Sequence, residues 1–164
     1  MSERRLLGPG FPDDTGAGDP ALRAALAAYD GGADSQVAAL SALASARLLV
    51  PVVAVLGEVE VDERGLAHDK TSDMAAVLLE GADGRLAMLA FTGTDSLAAW
   101  NPEARPVPVS AQTAAQSALQ EEAAALVVDL AGPATFVLEG DDLLGVASGW
   151  TLTRVGDRSA WRVE

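Results

Sequence analysis

Apolar residues recur at helical spacing near the start of the chain and at strand spacing through most of the rest. Leu22, Leu26 and Tyr29 fall on one face of a helix that Asp19-Pro20 opens, with Asp as cap and Pro at the first helical position. Asp30-Gly31-Gly32 closes it. Asp34 or Ser35 is the expected cap of a second helix, with Val37, Leu40, Ala44 and Leu48 as its stripe. Leu49 to Leu56 is a β-branched apolar run that reads as a buried strand, and Val59 and Val61 extend it in alternation with acids. Residues 62–73 read as a charged loop. Met74–Glu80 and Arg85–Phe91 read as two strands joined by the hairpin turn Gly81-Ala82-Asp83-Gly84.

Thr94 is the expected cap of a short helix carrying Leu97 and Trp100 on one face, and Asn101-Pro102 stops it. Pro106-Val107-Pro108 is necessarily extended and cannot be a central strand, because proline donates nothing to a ladder. Ser110 caps a helix running to about Glu121. Strands follow at 124–130 and 135–138, then a helix from Asp141 to Ala147 closed by Gly149. Residues 150–155 and 159–163 pair as a terminal hairpin around Gly156-Asp157. Interspersed helices and strands with a hairpin between them predict an α+β fold: a mixed sheet of about five main strands, a central antiparallel hairpin, and flanking helices. The Gly- and Pro-rich residues 1–18 read as a flexible N-terminal arm, and residues 19–164 as one domain.

Composition narrows the chemistry. The chain of 164 residues is 49% hydrophobic but only 4% aromatic, so its core rests on Ala, Leu and Val. A formal charge of -13 repels phosphate backbones and anionic headgroups, which excludes nucleic acid and membrane surfaces as expected partners. The absence of cysteine removes disulfides, thiolate nucleophiles and iron–sulfur sites. No apolar run reaches spanning length and no signal peptide is visible, so a cytoplasmic location is expected. One lysine, Lys70, stands against ten arginines, the mark of a GC-rich coding bias.

The segments LVPVVAV, DKTSDMAAVLLEGADGRLAMLAFTGTDSLAAW, RPVPV and LVVDLAGPATFVL, followed by a helix ending at Gly149, carry a resemblance over about 21–149. In that order and spacing the chain resembles the SseB-like N-terminal domain family, named for an enhanced-serine-sensitivity protein, and is closest to its actinobacterial type. The resemblance implies a mixed α/β domain and brings no enzymatic activity with it.

The residues themselves offer little catalytic chemistry. His68 is the only histidine, so a triad or a multi-histidine metal site would rest on it alone. The adjacent carboxylates Asp13-Asp14, Glu121-Glu122 and Asp141-Asp142 diverge and read as solvated. Asp69-Lys70-Thr71 and Thr92-Gly93-Thr94-Asp95 are similar to aspartyl-phosphate motifs, but Asp69 follows loop residues rather than a buried strand. No cofactor or metal is expected. Trp100 reads first as core filler and second as a partner anchor. Arg105 reads first as one half of an internal ion pair and second as a clamp for a partner's carboxylate. The leading expectation is a non-catalytic protein-interaction or regulatory module using Lys70, Asp73, Phe91, Trp100 and Arg105. The alternative is a small-molecule binder or enzyme using His68, Lys70 and Asp73. Self-association through an open sheet edge is a third reading.

Overall fold

The computed structural model describes residues 14–54, 74–132, 134–156 and 158–163. The expected strand extension at Val59 and Val61 and the loop bearing His68, Lys70 and Asp73 lie outside these residues. Helices α1 (Pro20–Ala28) and α2 (Ala33–Ala44) form the opening hairpin. Strands β1 (Arg47–Ala54), β2 (Met74–Ala76), β3 (Leu78–Glu80) and β4 (Leu86–Ala90) follow. Then come α3 (Thr94–Trp100), β5 (Arg105–Ser110), α4 (Ala111–Gln120), β6 (Ala125–Val128) and β7 (Phe136–Glu139). The chain ends in α5 (Gly140–Ser148) and the hairpin β8 (Thr151–Val155) and β9 (Arg158–Arg162). The architecture is α+β, as expected.

Two sheets carry the domain, in the orders β2-β1-β5 and β3-β4-β6-β7. The expected single strand 74–80 is two strands. It breaks at Val77, where the chain leaves β1 as partner and takes up β4. Val77 bridges the change by accepting from Leu89 N at 3.3 Å. Where β1 meets β4, Leu49 and Phe91 exchange both backbone hydrogen bonds, at 2.7 and 2.8 Å. The central hairpin β3–β4 turns at Gly81–Gly84 as expected, with Gly84 N donating to Gly81 O. Among the described residues the one parallel pair is β4 with β6, reached through α3, β5 and α4.

The register explains the paired prolines of β5. Leu49 turns its polar groups toward Phe91, so its β5 partner Pro108 sits in a pair without hydrogen bonds. Pro108 and Pro106 therefore face the outer edge, where neither offers an N–H. Strand addition at this edge is blunted, which counts against self-association through β5.

Helices α1, α2, α4 and α5 pack Leu22, Leu26, Leu40, Leu43, four alanines of α4 including Ala114 and Ala118, and Leu143 into one cluster with the sheets. The buried face of α2 is Ala39, Leu40 and Leu43; Ala44 is exposed and Leu48 already belongs to β1. Gly32, not Asp34 or Ser35, takes the α2 cap position, while Ser35 Oγ instead accepts from Asp30 N. Asp19 and Ser110 cap as expected, accepting from Ala21 N and Thr113 N at 3.0 and 3.1 Å. The α4 helix ends on Glu122 in the left-handed region (φ 62), with Ala123 N bonded to Ala118 O. Glycine carries no Cβ penalty there, so Glu122→Gly is expected to stabilise the fold by about 0.5–1 kcal/mol, read as a raised denaturation midpoint.

Candidate functional site

Of the residues singled out in the sequence, Lys70 and Asp73 lie outside the described residues, and Phe91, Trp100 and Arg105 are placed. Phe91 is fully buried in a second apolar cluster with Leu49, Leu89, Leu97 and Ala104. It cannot touch a partner directly; its place is architectural. Trp100, at the end of α3, is half-buried against that cluster, with its ring centroid 5.6 Å from that of Phe91. One part of the indole fills the core and the rest reaches the surface.

A short turn carries the chain from Trp100 to Arg105. Asn101 ends α3 by donating its N–H to Leu97 O, and its Oδ1 accepts from Glu103 N at 2.9 Å. Ala104 is buried behind the turn, so Arg105 enters β5 from a fixed base. Arg105 is exposed, and none of the described carboxylates lies within ion-pair distance of it. The internal ion pair expected for this side chain is absent among the described residues. Its backbone pairs with Val52, two residues before Ala54, and Ala54 in turn pairs with Met74, which follows Asp73. Arg105 thus stands at the end of the three-stranded sheet where β1 stops and β2 begins.

A second constellation, at the ends of the parallel strands, escaped sequence reasoning. Thr92 follows β4 and Asp129 follows β6, and both are buried. Asp129 accepts from Thr92 N and from Thr92 Oγ1, each at 2.8 Å. Thr92 Oγ1 accepts in turn from Arg23 Nε at 2.8 Å. The Arg23 guanidinium also pairs through both Nη atoms with the carboxylate of Asp95. Arg47 donates to Thr92 O at 2.8 Å, to Ala17 O at 2.7 Å and to Asp14 Oδ1 at 2.9 Å. The Arg47 Nε–Asp14 Oδ2 approach of 2.6 Å is a charge contact without hydrogen-bond alignment, so the directed bond is the one to Oδ1.

Glycines make this joint possible. A Cβ on Gly93 would lie 2.6 Å from Gly18 N and 2.8 Å from Arg23 Nη2. Gly93, not Thr94, therefore takes the α3 cap position, and Thr94 N donates to Gly16 O instead. Residues 14–18, the last part of the expected arm, are tied down by these bonds. The ends of parallel strands are where open α/β sheets place ligands. Here that position is occupied by the chain's own side chains, closed on one another.

The electrostatics of the joint predict an acid response. The hydrogen bond from Arg23, joined by that from Ser96 N, holds Asp95 below its ordinary 3.8, at about 2. The same bond raises Arg23. A carboxylate depressed in the folded state stabilises it above its unfolded value and loses that contribution as pH falls toward 2. Since the Asp95 side chain is 70% exposed, screening reduces the term to under about 1 kcal/mol. Urea titrations at pH 6 and pH 2.5 should show Asp95→Asn narrowing the difference in stability by that amount.

The fold and its joint define an α+β domain in which buried Thr92 and Asp129 bond to one another, and Thr92 to Arg23. The sequence model of the SseB protein N-terminal domain matches residues 22–144, and the chain belongs to this family. No curated protein and no solved structure matches the chain. Among the described residues, no group of three metal-ligating side chains could hold an ion, and no helix is long and apolar enough to cross a membrane.

Proposed function

We propose that this chain is a non-catalytic cytoplasmic protein-interaction or regulatory module, of the actinobacterial type of its family. One observation carries the reading: Arg105, exposed and without a described ion partner, follows half-buried Trp100 across a hydrogen-bonded turn. Tryptophan and arginine on a fixed base are the side chains that most often anchor interfaces. The register brings Arg105 to the end of the sheet at which β2 begins; Lys70 and Asp73, expected from the sequence to contribute, lie outside the described residues. The closed Thr92–Asp129 joint supports a structural role for the buried Asp129, and the charge of -13 supports a protein partner over nucleic acid or a membrane.

The test compares partners captured from cell extract by the wild-type chain and by a Trp100→Ala, Arg105→Ala double variant. Trp100 is only partly buried and Arg105 is exposed, so the variant is expected to fold, which circular dichroism checks. The expected result is a partner retained at least tenfold less by the variant. Equal capture by both would contradict the reading.

A further inference from the structure

The other two tryptophans meet elsewhere. Helix α5 and the β8–β9 hairpin enclose an open groove of about 620 Å3, lined by Asp141, Asp142, Leu144, Trp150 and Trp161 with two small residues of β9. We propose that this groove binds a basic segment of a partner protein, taking an arginine side chain against the indole rings and onto the Asp141 carboxylate.

The groove is built rather than incidental. Gly149 adopts the left-handed conformation (φ 73), and Trp150 N donates to Gly145 O at 3.0 Å. This closes α5 and fixes where Trp150 departs. A Cβ at Gly145 would lie 2.3 Å from the Trp161 ring, so the indole rests directly on the helix. Trp161 Nε1 donates to Asp142 Oδ1 at 2.9 Å, and Gln36 Nε2 donates to Asp142 Oδ2 at 3.2 Å. The hairpin is also tied to α2 by the ion pair of Arg154 with Asp34.

The chemistry of the lining selects the occupant. Asp142 receives only neutral donors among the described residues, so its charge is not cancelled. Asp141 is exposed and makes no described hydrogen bond or ion pair. Among the described residues no basic side chain lines the groove, while two indoles and the 41% exposed Leu144 do. Carboxylates beside aromatic faces suit a guanidinium, which stacks, is weakly hydrated and binds carboxylate with two parallel hydrogen bonds. The volume is that of a site for one or two side chains. The groove shares no lining residue with the Trp100–Arg105 surface, and its lining beyond Leu144 falls outside the family match.

The three tryptophans give the test its readout. The probe is an acetylated, amidated Ala-Arg-Leu-Arg-Ala peptide titrated into nitrogen-15-labelled full chain. The expected result is movement of the Trp150 and Trp161 indole N–H signals while that of Trp100 stays still. Asp141→Asn should weaken binding about tenfold, and replacing both arginines of the probe by citrulline should abolish the movement. No movement of either groove signal, or movement unchanged in Asp141→Asn, would overturn the proposal. Equal movement of all three indoles would also overturn it, since that reports diffuse attraction to an acidic surface. Failure here leaves the Arg105 reading standing, because the two surfaces are probed by different signals.

Discussion

Phe91→Ala is expected to remove about 4 kcal/mol of stability, the largest loss for any single truncation in the segment 91–109. Its ring is fully buried among Leu49, Leu89, Leu97 and Ala104, and its backbone joins β4 to β1. Loss of the contact with Trp100 adds about 0.5–1.5 kcal/mol to the cavity term. A small domain holds about 5–15 kcal/mol in total, so this variant should sit close to unfolding at ordinary temperature. Urea denaturation measures it. Trp100→Ala, from a half-buried site, should cost about 1–2 kcal/mol. A Phe91 loss no larger than that of Trp100 would contradict the assignment of Phe91 to the core.

Asp129→Ala is expected to cost about 3 kcal/mol. The substitution strands two donors, Thr92 N and Thr92 Oγ1, in a buried site and deprives Arg23 of a nearby carboxylate. Asp129 also sits at φ 56, a conformation Asp and Asn tolerate and Ala does not. Asp129→Asn separates these effects. Its amide oxygen can still accept from Thr92 N. Its amide nitrogen would face Thr92 Oγ1, which already accepts from Arg23, and the hydroxyl proton would lose its acceptor. The expected cost of Asn is about 1–2 kcal/mol. Equal losses for Ala and Asn would show that the bond from Thr92 N and the tolerance of φ 56 contribute little beside the charge and the Thr92 hydroxyl's acceptor; losses below about 0.5 kcal/mol for both would show that the joint is not structural.

Features fixed by a single residue's chemistry were legible in the sequence. Asp19-Pro20, Ser110 and Gly149 mark helix ends because a cap needs a side-chain acceptor or a free φ, whatever surrounds it. Pro106 and Pro108 marked an edge because proline cannot donate in any fold. The break at Val77 was not legible. Every residue near it suits a strand, and the change of partner is decided by where β1 and β4 diverge. The α3 cap was misassigned for a similar reason. Thr94 has the chemistry of a cap, but only glycine fits at 93 against Gly18 and Arg23. The polar joint was hidden by distance along the chain: Asp14–Arg47, Thr92–Asp129 and Arg23–Asp95 span 33, 37 and 72 residues. Its faint signal was Asp129 itself, a lone acid ending the apolar run ALVV.

For the candidate site, residue type pointed to Trp100 and Arg105, while burial decided the role of each neighbour. Phe91 is apolar and follows a strand, and nothing local distinguishes a surface aromatic from one that closes two sheets together. Arg105 was expected to find one of the chain's many acids. It does not among the described residues: it pairs with Val52 where β5 begins, while the acids Asp14 and Asp95 are engaged by Arg47 and Arg23.

The central claim is that the 91–109 segment presents Trp100 and Arg105 to a protein partner from a buried base. Site-specific photo-crosslinking in cells tests it most directly, with a photoreactive residue placed at Arg105 and, as control, at the exposed Tyr29. The account predicts a discrete crosslinked species from position 105 that is absent from position 29. No crosslink from 105, or the same species from both positions, would contradict it.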